Sequence, residues 1–201
     1  MECLLGVQCN DFALLAADGS VTFSIMMVKS DEQKITKLSD SIAMAVCGES
    51  GDTVQFAEFI AKNIQLYKMR NGYDLSPAAA ATYTRKNLAD RLRSRSPFQV
   101  NLLLAGYDHV TNKPELYFID YLAVVAKVPF AAHGYGSFFS GSIFDTEYRP
   151  DMNIQEAQNL LKRCVAEIQK RLMINLPNFK VVAITKEGIK DLPDIAVAPL
   201  K

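Results

Sequence analysis

The sequence predicts an α+β domain, a four-layer αββα sandwich with two antiparallel sheets between helix pairs. Two observations favour this class. Strand-like and helix-like segments come in runs, in the order strands, two helices, strands, two helices, strands, rather than alternating one by one. The 201 residues are 49% hydrophobic and 22% charged, which is typical of a globular domain. We therefore expect residues 1–201 to form a single domain.

The chain begins with a run of predicted strands and then changes period. From Cys3 to Cys47 the apolar clusters are short, rich in β-branched or aromatic residues, and separated by polar turns. From Glu49 the apolar residues lie three or four apart, which predicts a helix that ends at Asn71-Gly72. They are Val54, Ala57, Ala61, Ile64 and Tyr67. The residues proposed as its N-cap are Asp52 or Thr53.

A second helix is predicted to begin at Ser76-Pro77, because serine is a favoured N-cap and proline suits the first helical position. It continues through a run of alanines and ends in three arginines, at positions 91, 93 and 95. Cations suit the negative end of a helix. The chain carries 22 basic and 22 acidic residues, so a charged helix end explains these arginines better than a nucleic-acid-binding patch. We expect no nucleic-acid partner.

Strands return in the middle of the chain. Phe98 to Gly106 and Glu115 to Ile119 predict a hairpin or meander, and residues 122–132 form a further apolar stretch. A short helix is expected after Gly136.

A longer helix is expected to begin at Asn153, which forms a capping box with Glu156, and to end before Pro177. Its apolar stripe is Leu160, Leu161, Cys164, Ile168 and Leu172. A strand over Phe179 to Thr185 and a final short strand complete the prediction. The apolar tail of residues 195–200 is too hydrophobic for a free end, so we expect it to dock on this chain or on a neighbour.

Several candidate sites have simpler interpretations. Gly48 to Asp52 resembles a nucleophile elbow around Ser50, but the pattern needs glycine where Asp52 stands, and a capped turn explains the same residues. Residues 133–136 (HGYG) lack the third glycine and the lysine of phosphate loops, so a tight turn is favoured. His109 and His133 have no partner at metal-ligand spacing, and neither do the cysteines. We expect no metal and no cofactor.

The sequence also indicates the compartment. The chain starts Met1-Glu2 with no secretory signal, and its apolar runs are too short for a bilayer, which needs about 20 residues. We expect no membrane partner and a reducing, intracellular setting. In that setting Cys47 and Cys164, which lie in apolar segments, are expected to be small buried hydrophobic residues.

Four stretches carry a resemblance to a known family. They are Cys3 to Asp18, Gly48 with residues 51–58 (GDTVQFAE), residues 65–73 (QLYKMRNGY), and residues 131–136 (AAHGYG). Together they resemble the beta subunits of the proteasome, over essentially the whole chain. The resemblance implies the amino-terminal-nucleophile hydrolase fold, which is itself an αββα sandwich.

The resemblance also implies which part of the family chemistry this chain lacks. Active members use a terminal threonine supported by an aspartate, a lysine and a glycine, and these three align with Asp18, Lys34 and Gly48. The position of the threonine holds Glu2, and no threonine occurs before Thr22. We therefore expect no catalytic residue, only a vestigial frame.

Three further positions depart from the active pattern. Leu172 and Asn175 stand where active members carry an aspartate and a serine, and Tyr135 replaces a small serine that lies next to the terminal threonine. Leucine cannot polarise a neighbouring group, and a phenol is expected to crowd the site.

The expected function is that of a non-catalytic, structural beta subunit of the 20S proteasome core in the cytoplasm and nucleus, where the core degrades ubiquitin-tagged proteins. Its expected partners are neighbouring beta subunits, alpha-ring subunits and beta subunits of the opposite ring. The resemblance implies that the helices over Thr53–Asn71 and Ser76–Ser94 face the alpha ring, and that the pair with Asn153–Leu172 faces the other beta ring.

Two alternatives remain. One is an independent hydrolase that uses Cys3 after removal of Met1-Glu2, although Cys3 is one residue out of register and strand alternation points it to the opposite face. The other is a stand-alone adaptor that reuses the fold.

Overall fold

The computed structural model describes residues 2–23, 26–173 and 175–196. The helices in this part of the chain are α1 (Ser50–Asn71), α2 (Pro77–Leu92), α3 (Ser137–Glu147) and α4 (Ile154–Arg171). The strands are β1 (Cys3–Gln8), β2 (Phe12–Asp18), β3 (Val21–Phe23), β4 (Met26–Lys29), β5 (Ile35–Lys37), β6 (Ile42–Gly48), β7 (Val100–Asp108), β8 (Lys113–Ile119), β9 (Val125–Lys127), β10 (Phe130–Gly134), β11 (Asn178–Thr185) and β12 (Gly188–Ala196). The predicted order of runs is confirmed.

Two five-stranded antiparallel sheets form the centre of the molecule. Sheet I has the strand order β10-β1-β2-β11-β12, and sheet II has the order β5-β6-β7-β8-β9. One buried cluster lies between sheet I and helices α3 and α4, a second between the two sheets, and a third between sheet II and helices α1 and α2. Three apolar interfaces separate four layers, so the predicted αββα sandwich is confirmed.

The two central strands of sheet I are buried on both faces. Along β1, Cys3 and Leu5 face the helices, whereas Leu4 faces sheet II. Along β2, Leu14 faces the helices and Ala13 faces sheet II. Because each face contacts an apolar layer, these strands are continuous apolar runs rather than alternating ones.

Helix α1 begins earlier than the sequence predicts. Its first residue is Ser50 and its N-cap position is Glu49, with no side-chain capping bond. The Asp52 carboxylate accepts from the Gln99 backbone N–H at 2.9 Å, and the Thr53 hydroxyl donates to the Ser50 carbonyl at 3.0 Å. Neither residue caps the helix, so that prediction is wrong: both side chains have partners inside or beyond the first turn. The predicted end is confirmed, with Gly72 in the left-handed region.

The other predicted helix starts are confirmed by their hydrogen bonds. The Ser76 hydroxyl accepts from the Ala79 N–H at 3.2 Å, with Pro77 as the first helical residue. Asn153 and Glu156 form the reciprocal capping box of α4. These signals succeed because each lies within four residues of its partner.

The middle of the chain follows the prediction with shifted bounds. Strands β7 and β8 form the expected hairpin, with Asp108 opposite Lys113. The apolar stretch of residues 122–132 contains the short edge strand β9 and the start of β10.

The last strand partly confirms the docking expected for the tail. Strand β12 pairs with β11, and Ile195 is only 5% exposed in the cluster beneath α3 and α4. Residues 197–200 of the predicted tail lie outside the described residues. None of the described helices combines the length and the apolar character needed to cross a membrane.

The imidazole of His133 is buried between the two sheets. It is 6% exposed, stacks on Phe118 at a centroid distance of 4.1 Å, and places Nε2 3.1 Å from the Leu102 carbonyl oxygen. Burial lowers the pKa of His133 from 6.5 to about 4, although the carbonyl contacts and Asp120 oppose this change. The folded chain therefore buries the neutral ring.

This burial predicts a loss of stability in mild acid. The unfolded chain takes up a proton at His133 below pH 6.5, whereas the folded chain does so only near pH 4. The contribution of neutral His133 to the free energy of unfolding is therefore complete above pH 6.5 and is lost as the pH falls towards 4. This contribution is about 3 kcal/mol. We expect His133→Gln to flatten the fall in unfolding free energy between these values, measured by urea denaturation of the full chain.

The matched control is His109→Gln, because His109 is exposed on the β7–β8 loop. It should keep the wild-type pH dependence. An equal pH slope in wild type and His133→Gln would contradict the assignment.

Candidate functional site

Four chain segments meet at one end of the two sheets. Glu2 directly precedes β1, Asp18 is the last residue of β2, Lys34 directly precedes β5, and Gly48 is the last residue of β6. The first two belong to sheet I and the last two to sheet II. The site therefore lies where the open ends of the two sheets face each other.

Asp18 and Lys34 form a buried ion pair. Asp18 is 0% and Lys34 4% exposed, and the ammonium lies 3.0 and 3.1 Å from the two carboxylate oxygens. The same carboxylate accepts from the backbone N–H groups of Cys3 at 2.7 Å and Ser20 at 3.1 Å. Lys34 also donates to the Ser20 carbonyl at 2.7 Å. Burial raises the pKa of Asp18, while Lys34 and the two N–H donors act in the opposite direction.

The carboxylate of Glu2 bridges the two sheets. One of its oxygens accepts from the Gly48 backbone N–H at 2.6 Å, and the other lies 3.0 Å from the Lys34 ammonium. The Glu2 carbonyl accepts from the Tyr135 N–H at 3.1 Å, which fixes the main chain on its other side. The first described residue is thus held by both its side chain and its backbone.

Only glycine fits at position 48. Its φ is +143°, and a Cβ atom added there would lie 2.0 Å from the Gln99 carbonyl oxygen. Gly48 lies opposite Val100 of β7, and the next residue, Glu49, donates its N–H to the Gln99 carbonyl at 3.0 Å, so the neighbouring strand cannot move away. This backbone turn points the Gly48 N–H at Glu2.

Cys3 faces away from this cluster. Its side chain is 0% exposed in the layer beneath α3 and α4, and a Cβ atom added at Gly136 would lie 2.0 Å from its sulfur. Burial, and next the negative charge of Asp18, raise the pKa of the Cys3 thiol well above its usual value. A buried thiol without thiolate character is a poor nucleophile.

An open cleft of about 430 Å³ adjoins Glu2. Its walls include Thr22, Gly48, Ser50 and Tyr135. A second hollow of about 270 Å³, which reaches Lys34 and Val54, also includes Glu2 in its lining. Glu2 therefore stands where the two hollows meet.

The three positions that depart from the active pattern have different surroundings. Tyr135 lines the cleft with half of its surface exposed. Leu172 caps α4 and packs against the cluster beneath the helices. The Asn175 Oδ1 atom is buried and has no hydrogen-bond partner within the described part of the chain.

Of the remaining sequence candidates, Ser50 lies beside the cluster and the two histidines lie away from it. Ser50 is the first residue of α1 and lines the cleft, whereas His133 is buried between the sheets and His109 is exposed. Residues 2–23, 26–173 and 175–196 contain no group of three or more His, Cys, Asp or Glu side chains placed to hold a metal ion.

Sequence reasoning missed the contact between Glu2 and Gly48. The two residues are 46 positions apart, so no local pattern connects them. The only sequence signal for this contact was the carboxylate of Glu2, at the position that the family resemblance places beside Lys34 and Gly48. Chemically, the cluster offers a backbone N–H and an ammonium to a negative oxygen, but Glu2 brings neither a hydroxyl nor a thiol that could attack a carbonyl.

Comparison with known proteins gives a consistent result. Residues 2–184 match the family model described as "Proteasome subunit". The chain is 47% identical to "Probable proteasome subunit beta type-4" of Schizosaccharomyces pombe over 192 residues, which covers 96% of this chain and 99% of that protein. It is 45% identical over 194 residues to "Proteasome subunit beta type-4" of Saccharomyces cerevisiae, with 96% and 98% covered. It is 47% identical over 191 residues to "Proteasome subunit beta type-2-A" of Arabidopsis thaliana, with 95% and 93% covered.

The geometry at position 48 predicts a strong effect of a single methyl group. Gly48→Ala would force a Cβ atom against the Gln99 carbonyl at a backbone angle that L-residues rarely adopt. We expect it to lower the free energy of unfolding of the full chain by at least about 3 kcal/mol, measured in urea.

Gly51→Ala is the control, because Gly51 lies in the first turn of α1 and an added Cβ there meets nothing within 4 Å. It should change stability by no more than about 1 kcal/mol, in the stabilising direction. Equal effects of the two substitutions would show that Gly48 is not constrained.

Proposed function

We propose that this chain, which belongs to the proteasome subunit family and is a beta-ring subunit of the 20S core, is a non-catalytic member of its ring. The resemblance found in the sequence and the role in protein degradation are confirmed by near full-length relatives. The chain assembles with other proteasome subunits. These relatives do not favour the alternative of an independent hydrolase.

One observation supports the absence of catalysis: the Glu2 carboxylate occupies the place between Gly48 and Lys34. By family resemblance, that place belongs to a terminal threonine whose hydroxyl attacks and whose amine moves the proton. Glu2 has no hydroxyl, so it cannot form the acyl intermediate that the threonine forms. The Glu2 carboxylate also accepts the hydrogen bond of the Gly48 N–H. A reaction at this place would need that N–H as a donor to the oxyanion. Asp18, Lys34 and Gly48 are then a vestigial frame with a structural role.

The nearest thiol does not replace the missing hydroxyl. Cys3 lies on the helix side of sheet I, and its thiol is buried with a raised pKa. Removal of Met1-Glu2 would expose the Cys3 amine beside Asp18, but the sulfur would still point away from Lys34. This geometry supports the non-catalytic reading over the Cys3 alternative.

The contribution of the chain is then contact and shape. We infer that it contacts neighbouring beta subunits, alpha-ring subunits and beta subunits of the opposite ring, as a single beta-type domain over residues 1–201. Helix pairs cover both outer faces of the sandwich, and each carries exposed apolar side chains. On α1 these include Phe59 and Met69, and on α3 they include Phe138. By family resemblance, α1 and α2 face the alpha ring, α3 and α4 face the opposite beta ring, and the particle works in cytoplasm and nucleus.

Treatment of the assembled core with a threonine-directed electrophile, such as a peptide epoxyketone or vinyl sulfone, tests the proposal. We expect the catalytic sibling subunits to gain the reagent mass while this chain keeps its own intact mass, because it presents no hydroxyl at the site. The siblings serve as the internal positive control. A covalent adduct on this chain near Glu2 would contradict the proposal, and a mature chain that starts at Cys3 would support the alternative.

Lys34→Ala separates structure from catalysis. Removal of the ammonium leaves Asp18 buried without its charge partner, which should cost about 3 to 5 kcal/mol of unfolding free energy in this chain. The peptidase activities per assembled particle should remain near wild type, because Lys34 activates no nucleophile here.

Lys37→Ala is the matched control, since Lys37 is exposed and its ion pair with Asp191 spans 3.9 Å. It should change the free energy of unfolding by no more than about 1 kcal/mol and should leave the peptidase activities unchanged. Selective loss of one peptidase activity in Lys34→Ala particles with normal assembly would refute the non-catalytic role.

A further inference from the structure

We propose that the Gly48 N–H and the Lys34 ammonium form a carboxylate-binding site, that Glu2 is its resident ligand, and that its external ligand class is the C-terminal carboxylate of a peptide in the adjoining cleft. The inference rests on the proposed function, since a catalytic chain would need this site for a reacting carbonyl. It goes further by assigning a ligand chemistry to the cleft.

The two donors recognise both oxygens of one carboxylate. The Gly48 N–H binds one oxygen of Glu2 at 2.6 Å, and the Lys34 ammonium lies 3.0 Å from the other. Both interactions involve an ionised partner, which makes them stronger than bonds between neutral groups. A group with a single acceptor oxygen, such as an amide, would have to share that oxygen between the two donors and would bring no charge to Lys34. The arrangement therefore selects a carboxylate.

Both donors are held in place without Glu2. Lys34 is fixed by the Asp18 carboxylate and the Ser20 carbonyl. The direction of the Gly48 N–H is set by a main-chain conformation that is locked against Gln99. Donors that are positioned in advance bind a ligand without a cost of reorganisation. The site therefore remains formed when Glu2 leaves it.

Charge balance distinguishes Glu2 from a structural ion-pair partner. Asp18 already supplies one negative charge to Lys34, within a fully buried contact. Glu2 is a second carboxylate on the same ammonium, and its side chain is 23% exposed, whereas that of Asp18 is 0% exposed. Asp18 is therefore the permanent counter-ion of Lys34. Glu2 is the partner that can be exchanged.

The surroundings fit a peptide better than a small anion. The cleft of about 430 Å³ extends beyond Glu2 along Val21, Thr22 and Tyr135, so it has room for several residues. Position Gly48 ends strand β6, and Val21 and Thr22 belong to the short strand β3, so main-chain groups line both sides. Sibling subunits that hydrolyse peptide bonds release products with free C-terminal carboxylates.

Glu2 competes with such products because it is tethered. A group attached close to its site has an effective concentration that is typically in the millimolar range or above. The wild-type site is therefore self-occupied, and the affinity for an external carboxylate becomes measurable only when the Glu2 carboxylate is removed.

The test uses assembled particles whose catalytic siblings have first been blocked with a covalent electrophile. Two photoreactive peptides of the same sequence, one with a C-terminal carboxylate and one with a C-terminal amide, are cross-linked to the particles. Labelling of this chain is read by intact mass. In Glu2→Ala particles we expect the acid to label the chain about tenfold more than in wild type, with the amide unchanged.

Asp11→Ala is the matched control, because Asp11 is an exposed carboxylate that does not line this cleft. It should label as wild type does. Acetate at the peptide concentration should leave acid labelling unchanged, whereas abolition of labelling by acetate would indicate a small-anion site and overturn the peptide assignment.

A second variant, Glu2→Gln, tests the inference if Glu2→Ala particles do not assemble. Glu2→Gln keeps the side-chain volume and loses the charge, so the peptide acid should displace it more easily and label about threefold above wild type. Equal labelling by acid and amide in either variant would overturn the inference while leaving the non-catalytic role intact. An electrophile adduct on this chain would instead overturn the proposed function.

Discussion

The buried Asp18–Lys34 ion pair is the interaction around which this end of the molecule is arranged. Asp18 ends a strand of sheet I, and Lys34 leads into a strand of sheet II. Neither charge is tolerable without the other in an interior that excludes water. The pair therefore holds the two sheets in one relative position. Because the same carboxylate also accepts from the Cys3 N–H, it sets the point at which β1 enters sheet I.

The alternation of side chains along β1 decides the chemistry of the site. Glu2 and Cys3 are adjacent, yet one carboxylate contacts Lys34 and Gly48 while the neighbouring sulfur is enclosed beneath the helices. A shift of one residue would exchange the two environments. The register of this strand, fixed on both sides by β10 and β2, therefore determines which functional group meets the cleft.

The sequence could predict what depends on near neighbours. The caps at Ser76 and Asn153 and the end at Gly72 were correct, because each signal acts over a few residues. The start of α1 was misplaced because Asp52 binds Gln99, 47 residues away. The strand order within each sheet could not be derived either, since β10 lies beside β1 and β11 beside β2.

The members of the site were predicted, but their contacts were not. Asp18, Lys34 and Gly48 came from family resemblance rather than from spacing. The contact of Glu2 with Gly48 joins chain segments that only the closed sandwich brings together.

The donor at position 48 has one more consequence, because it is a main-chain N–H rather than a side chain. A mutation replaces a side chain and leaves the peptide group in place. The close approach of the Gln99 carbonyl, which fixes the direction of the Gly48 N–H, also disfavours any other residue at position 48. A substitution at residue 2 can therefore change the group that meets this N–H, while the N–H itself persists for as long as the architecture is maintained.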